Sequence, residues 1–303
     1  MIDFGLMASD PTWMEGNWRA LDESLFSSLY VVDHPSFAAP DPWPYLAYVA
    51  GKTARIRLGT HVTGAPFHHP TALARAVTTV DRLSRGRATL GIGSGWATVD
   101  FQPYGFPYQP LGKRLSGLEE TIRILKGYWS DEAEISDAPS GHLMSGTLNP
   151  KPVQRPHPPI IVGLNTTGRA ARIAVRHAQG INTWQLGPEQ VLPIREHVRE
   201  LCEATGRNPE DLLITADVLN ARGLGVAAAA AMAGRIADYA RTGGRGGPAT
   251  DWNASGVLRG DADEICGQVA RFAEVGVSEL TVALGSMDDM EWFNERVVAR
   301  FKQ

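Results

Sequence analysis

The feature of this sequence that most constrains its fold is a repeated alternation of short apolar segments with longer helix-like segments. Ile2, Phe4 and Leu6 recur at the two-residue period of a β-strand with one face turned to a core. Seven further short, mostly apolar runs follow, at residues 28–32, 57–62, 88–92, 160–162, 181–184, 212–215 and 280–282. Most of them precede residues that recur at intervals of three and four, as in the amphipathic helix that starts at Pro70.

Strands that alternate with helices in this way require parallel pairing with right-handed crossovers, and the common closed solution is a (β/α)8 barrel. We therefore predict an α/β protein with a TIM-barrel fold, in which residues 1–303 form a single domain. Residues 131–158 break the alternation with Pro, Gly and Ser, which predicts an insertion after the fourth strand. The alternative, an open doubly wound sheet, would need G-x-G-x-x-G after the first strand. The nearest match, Gly91–Trp96, follows the fourth strand and ends in Trp.

Three later segments carry local predictions. The capping-box spacing of Asp261 and Glu264 predicts the start of the last helix, which should end at Gly276. Five consecutive alanines at 227–231 indicate a helix, because alanine is the strongest helix former. The Gly-rich segment 242–256 predicts a mobile loop that covers a substrate.

Composition narrows the classes of partner. The hydrophobic share is 43%, the charged share is 20% and the net charge is −4, with no long basic run, so we expect a globular protein that binds neither nucleic acid nor membrane. The N-terminus lacks the pattern of a secretory signal, and no stretch reaches transmembrane length. The only cysteines, Cys202 and Cys266, indicate neither a disulfide framework nor a metal cluster, and a cytoplasmic location fits best.

Polar residues directly after the predicted strands are the candidate functional residues, because these strand ends converge on one mouth of a barrel. Asp33 and His34 follow the second strand, where a carboxylate can orient an imidazole that donates or accepts a proton. A helix cap beside a surface histidine explains this pair equally well. Trp184, at the end of the sixth strand, is either a ligand contact or a packing residue.

Three segments rich in small residues are candidates for cofactor binding. Residues 59–64 and Gly91–Trp96 would let a flat ring approach the backbone, with Trp96 stacking on it, although ordinary bulges are the alternative. The third segment follows the fifth strand and opens a helix expected to run from Ala170 to Gly180. Its free N–H groups and hydroxyls would suit a phosphate, and a plain threonine N-cap is the alternative. This segment comprises Gly163, Leu164, Asn165, Thr166, Thr167 and Gly168.

Two other kinds of site find no support. His68, His69, His177 and His197 lack the spacing of three zinc ligands, so we predict no metal site and structural roles for these residues. A G-x-S-x-G elbow and a nucleophilic cysteine setting are both missing from the sequence, which leaves acyl transfer without support.

Taken together, VVDH at 31–34, the run 57–96 and NPKPVQRPHPPIIVG at 149–163 resemble the luciferase-like family of flavin-dependent enzymes in order and spacing. The segment 104–129 resembles more narrowly the branch of coenzyme F420-dependent oxidoreductases. This resemblance implies a barrel with an insertion after the fourth strand, usually dimeric, that holds an isoalloxazine-type ring in its mouth.

The resemblance also implies roles for individual residues. His34 matches the active-site histidine and Asp33 its partner, and His61–Val62 falls where relatives place a non-prolyl cis peptide against the ring. Ser94 and Gly95 match positions that contact the ring, and the segment from Gly163 to Gly168 matches positions that contact the phosphate.

Two departures from the family pattern bear on the substrate. In the sugar-phosphate dehydrogenases of the family an acidic Glu follows the Gly-Ser/Thr-Gly turn, whereas Trp96 stands here, which argues against sugar-phosphate oxidation. Leu164 and Asn165 replace glycines of the phosphate loop. Our prediction is hydride transfer between reduced F420 and a small organic substrate, with His34 as proton donor or charge stabiliser and Asp33 fixing its tautomer. An FMN-dependent monooxygenase using oxygen and a non-catalytic cofactor-binding protein are the alternatives.

Overall fold

Eight parallel strands close into a barrel in a computed structural model of the chain, and this confirms the predicted TIM-barrel fold. The structure describes residues 2–8, 11–37, 40–131, 134–135, 144–145, 149–222 and 256–302. The strands are β1 Asp3–Ala8, β2 Ser28–Val31, β3 Arg57–Thr60, β4 Thr63–Gly64, β5 Ala88–Gly93, β6 Glu134–Ile135, β7 Met144–Ser145, β8 Ile160–Gly163, β9 Gly180–Trp184, β10 Leu213–Arg222, β11 Val257–Gly260 and β12 Glu279–Ala283. The barrel strands follow the order β1-β2-β3-β5-β8-β9-β10-β12, and β12 pairs back onto β1.

The eight predicted strands coincide with the eight barrel strands, and the structure adds short elements that lack their own sequence signal. Strand β4 follows β3 after a two-residue break and pairs with β5. Strand β10 is ten residues long, which extends well past the predicted 212–215, and its far end pairs with β11. Strands β6 and β7 form a small antiparallel hairpin within the predicted insertion.

The helices lie outside the barrel and bury their apolar stripes against it. In α3, which spans Pro70–Leu83, the buried residues Leu73, Val77 and Val80 recur at helical spacing, and Pro70 begins the helix as predicted. The indole of Trp129 in α4 donates to Thr78 of α3 at 3.0 Å, which joins the two helices behind β5. The helices are α1 Trp18–Glu23, α2 Pro42–Ala50, α3 Pro70–Leu83, α4 Leu111–Trp129, α5 Arg169–His177, α6 Pro188–Ala204, α7 Ala262–Glu274, α8 Met287–Phe293 and α9 Ala299–Phe301, with a π-helical turn at Asn294–Val298 between the last two.

The helix predicted from the capping box is confirmed at its start. Asp261 accepts hydrogen bonds from the N–H groups of residues 263 and 264, and the Glu264 carboxylate accepts one from the N–H of Asp261. The helix ends at Glu274, two residues before Gly276. The prediction that it is the last helix is wrong, because α8, the π-helical turn and α9 follow it.

Two other predictions fall partly or wholly outside the described residues. The alanine-rich helix predicted at 227–231 lies wholly outside the described residues. Of the loop predicted at 242–256, only Gly256 is described. Within the described ranges, the helices are all too short or too polar to cross a bilayer.

Candidate active site

The carboxyl ends of four barrel strands bring most of the predicted site residues to one rim. The ring of His34, after β2, lies 6.2 Å from the ring of Trp96, after β5, at an angle of 89°. The Trp96 ring in turn lies 5.3 Å from that of Trp184 at the end of β9. Asn165, after β8, exchanges two hydrogen bonds of 2.9 Å with the backbone of Trp184. These side chains are far apart in the sequence, and the parallel strands bring them together.

His34 is paired with a carboxylate, but that carboxylate is not Asp33. Its Nδ1 lies 2.5 Å from an oxygen of Asp100, which sits in a short 3-10 turn after β5. The other oxygen of Asp100 accepts hydrogen bonds from the hydroxyl of Ser36 at 2.6 Å and from its N–H at 3.1 Å. The prediction that Asp33 fixes the tautomer of His34 is therefore wrong, and Asp100 occupies that position.

The electrostatics of the pair favour an ionised Asp100. Burial acts to raise the pKa of this carboxyl, but hydrogen bonds from His34 and Ser36 together with the charge of His34 outweigh it, so the pKa lies below its ordinary value. An ionised carboxylate only accepts, which assigns the Nδ1 proton to the imidazole. Nε2 of His34 makes no hydrogen bond to the described residues, and the side chain is 18% exposed. Nε2 is thus the atom available to a bound molecule.

Asp33 instead holds the segment that follows β3. One oxygen of Asp33 accepts hydrogen bonds from the N–H of Gly64 at 3.1 Å and from Nε2 of His68 at 2.7 Å. Burial acts to lower the pKa of His68, yet the hydrogen bond and charge of Asp33, aided by Asp41, raise it above its ordinary value. Asp33 and His68 therefore act as an ion pair that fastens this segment to β2.

The fastened segment contains the cis peptide bond that the family resemblance implied, between His61 and Val62. The side chain of Val62 is partly exposed and lies against Gly93 of β5 and Gly163 of β8. A Cβ atom at either glycine would come within 2.9 or 3.0 Å of Val62. The two glycines thus let the apolar side chain of Val62 lie directly against both strands at the rim, and we call Val62 with Gly93 and Gly163 the platform.

Below this platform the barrel interior is polar. The imidazole of His61 is fully buried, lies 2.8 Å from Asp217 of β10 and stacks on Tyr30 of β2 at 3.5 Å. Removing one partner of a buried pair leaves an uncompensated polar group in a medium of low dielectric constant. His61 is consequently held in one orientation, and its backbone begins the cis bond.

Glu279 of β12 lies in the same interior. The hydroxyl of Tyr30 donates to it at 3.1 Å, and the hydroxyl of Ser28 donates to its other oxygen. Burial raises the pKa of Glu279 above its ordinary value despite these hydrogen bonds and the nearby His61. Burial likewise raises the pKa of Tyr30 well above its ordinary value, and the charge of Glu279 acts in the same direction.

The predicted phosphate-binding segment ends at the N-terminus of α5. Gly168 occupies the N-cap position and no side chain caps the helix, so the alternative of a threonine N-cap is wrong. Thr166 and Thr167 are exposed, while Leu164 is buried. The helix starts one residue earlier than predicted and ends at His177, because Gly180 already begins β9.

Sequence reasoning missed Asp100, Ser36 and Asp217. Asp100 lies four positions after Trp96 in a turn without periodicity, so only its acidic character near the rim was available as a signal. Asp217 lies two positions after the inward-facing Thr215 and therefore points to the same face of the strand. Extending the predicted seventh strand to Asp217 would have placed this residue inside the barrel.

Comparison with known proteins identifies the family of the chain. The model of the luciferase-like monooxygenase family matches residues 17–279. The chain belongs to the luciferase-like monooxygenase family. This family membership confirms the resemblance seen in the sequence, and the relatives that the chain matches include F420-dependent oxidoreductases and flavin-dependent monooxygenases.

Among these luciferase-like relatives, an F420-dependent glucose-6-phosphate dehydrogenase of Kineococcus radiotolerans is 30% identical over 220 residues, which are 68% of this chain and 59% of that protein. The oxygenase component of a flavin-dependent trigonelline monooxygenase of Acinetobacter baylyi is 31% identical over 169 residues, 54% of this chain and 46% of that protein. The matched part of the chain thus spans about half to three fifths of the length of these relatives.

Solved structures of the family share the fold. The coenzyme F420-dependent tetrahydromethanopterin reductase of Methanopyrus kandleri superposes with a TM-score of 0.81 at 17% identity, covering 99% of both chains. A long-chain alkane monooxygenase superposes with a TM-score of 0.79 at 15% identity, covering 99% of this chain and 91% of the other. At such identities the likeness concerns the architecture.

Proposed function

We propose that this protein transfers hydride between the reduced deazaflavin F420 and a small organic substrate at the rim that carries His34. The observation that carries the proposal is the pairing of the partly exposed imidazole of His34 with the buried carboxylate of Asp100, beside the platform of Val62. An imidazole held in this way can donate or accept a proton through Nε2.

The residues of the platform fit a planar ring. Val62 offers a partly exposed apolar surface, and the glycines at 93 and 163 let its side chain lie directly against the backbone of β5 and β8. The uncapped N-terminus of α5, with the hydroxyls of Thr166 and Thr167 next to it, suits the phosphate of the cofactor's side chain. When bound, the reduced deazaflavin supplies the hydride.

The chain's own residues supply positioning and proton transfer. Asp100 accepts a hydrogen bond from the protonated Nδ1 of His34. Nε2 of His34 is therefore the atom that gives a proton to the substrate or takes one from it. General acid–base catalysis of this kind contributes on the order of 10²- to 10⁴-fold in rate. Asp33 and Asp217 hold the platform through Gly64 and His61, and neither contacts the reacting atoms.

F420 is the first candidate, supported by the 30% identity to the F420-dependent glucose-6-phosphate dehydrogenase over 68% of the chain. An FMN-dependent monooxygenase is the second candidate, supported by the 31% identity to the trigonelline monooxygenase.

Titration of the protein with F420 and with FMN, followed by intrinsic tryptophan fluorescence, tests the assignment. We expect F420 to bind with a dissociation constant in the micromolar range or below and Val62→Asp to weaken it at least about tenfold, which corresponds to about 1.4 kcal/mol. Leu83→Asp is the matched control, because Leu83 is 54% exposed at the far end of α3. Binding of FMN but not F420 would favour the second candidate. Full turnover by His34→Ala on a substrate found by screening would refute the role of His34.

A further inference from the structure

We propose that the mouth of the barrel binds an uncharged substrate with a planar, conjugated group, which packs against the indole of Trp96 beside His34. The inference rests on the proposed function, because it names the substrate class of the same site. It departs from the glucose-6-phosphate that the matched dehydrogenases act on.

The first argument is the exposure of Trp96. The residue is 42% exposed, and the nearby Tyr104 and Tyr108 are exposed as well. Its ring contacts that of Trp184 in a tilted arrangement and meets that of His34 edge to face. An indole left open to solvent beside the candidate proton donor offers a face on which a second flat ring gains binding free energy.

The second argument is that Trp96 is held in place before any ligand arrives. The guanidinium of Arg114 donates to the backbone oxygen of Gly95 and lies over the ring of Tyr108 at 4.4 Å. The hydroxyl of Tyr108 donates to the backbone oxygen of Trp96 at 3.3 Å. Because the carbonyl groups before and after Trp96 are both held, its backbone loses little conformational entropy on binding.

The third argument is charge. Arg114 is committed to Gly95 and Tyr108, and Arg169 at the start of α5 pairs with Glu119 at 3.1 Å and with Ser116 at 2.9 Å. Among the described residues, these two guanidiniums already have partners, so a sugar phosphate would compete with these contacts. A neutral ligand with a flat face needs no such competition.

A conjugated ketone or aldehyde combines such a face with a carbon that accepts hydride. Its reduction by a reduced deazaflavin places one hydride on the carbonyl carbon and one proton on the oxygen, and yields the alcohol and the oxidised deazaflavin. The edge-to-face neighbour of Trp96, His34, is the group that supplies the proton.

Calorimetry with two ketones of the same skeleton tests the proposal: acetophenone, which is planar and conjugated, and cyclohexyl methyl ketone, which is saturated. We expect the wild type to bind acetophenone about 3- to 10-fold more tightly, the range that aromatic pairs provide beyond area burial. Trp96→Phe should keep this ratio, and Trp96→Leu should reduce it below about twofold. Tyr48→Leu, which removes an aromatic side chain of 48% exposure on α2, is the matched control and should leave the ratio unchanged.

Equal affinities for the two ketones, no measurable binding of either, or a ratio that is the same in Trp96→Leu would overturn the proposal. Tighter binding of glucose 6-phosphate than of acetophenone would also overturn it. The ratio is an equilibrium quantity that requires neither turnover nor a particular cofactor. Its failure is therefore distinct from failure of the proposed function, which the cofactor titration and the His34→Ala assay report.

Discussion

Replacing Asp100 by asparagine should uncouple His34 from its carboxylate while preserving the packing around it. Three hydrogen bonds reach Asp100, one from Nδ1 of His34 and two from Ser36. Asparagine keeps an acceptor oxygen for Ser36 but presents an NH₂ group to Nδ1. The net loss is one hydrogen bond to a charged group, so the free energy of unfolding at neutral pH should fall by about 1.5–3 kcal/mol.

The pH dependence of this loss has a definite sign. The pKa of Asp100 is lower in the folded protein than in the unfolded chain, where it is about 3.9. Such a carboxylate stabilises the fold fully above the unfolded pKa, and the contribution disappears as the pH falls through the folded pKa. The difference between wild type and Asp100→Asn should therefore be complete at neutral pH and shrink below about pH 4.

Urea unfolding at several pH values measures the energy, and nitrogen NMR of the imidazoles reports the tautomer of His34. Asp33→Asn is the matched control, because it should destabilise the protein through Gly64 and His68 without changing that tautomer. The reasoning is refuted if Asp33→Asn shifts His34 away from the Nδ1–H form and Asp100→Asn does not.

Three further predictions concern the platform and the barrel interior. Gly163→Ala should lower the free energy of unfolding by about 1–3 kcal/mol and weaken cofactor binding in the fluorescence titration, because its Cβ would press on Val62. Adding Val62→Ala should restore both stability and binding, and a double variant without this rescue would contradict the close approach. His68→Gln should lower the free energy of unfolding by about 1.5–3 kcal/mol at pH values well below 6.5, the approximate pKa of histidine in the unfolded chain, and by less as the pH rises through the raised pKa of the folded protein. A difference in urea unfolding that stays constant with pH would contradict the ion pair with Asp33. Glu279→Gln should become more stable than wild type as the pH rises above about 4.3, by about 1.4 kcal/mol for each unit by which burial raises the pKa, and unfolding curves that stay parallel from acid to neutral pH would contradict it.

The barrel was predictable from the sequence because its signals are local. Each strand shows its own apolar run, the helix at Pro70 shows its own period, and the capping box of Asp261 and Glu264 marks a helix start within four residues. The rim was predictable for the same reason, since a residue directly after a parallel strand must lie at the carboxyl end.

The pairing of His34 was not predictable in this way, because its partner lies 66 positions away in the sequence. Adjacency suggested Asp33, but consecutive residues of an extended chain project to opposite sides. His34 therefore turns to the turn that contains Asp100, while Asp33 turns to Gly64 and His68.

The contacts that support Val62 at the rim are different from the contacts that hold Trp96. Val62 is positioned from within the barrel by the pair of His61 with Asp217, and from β2 by Asp33 through Gly64. Trp96, in contrast, stands on a turn that Arg114 pins from α4, outside the barrel strands. Because the two sets of contacts share no residue, a substitution at Trp96 can change which substrate is accepted while the ring platform stays in place.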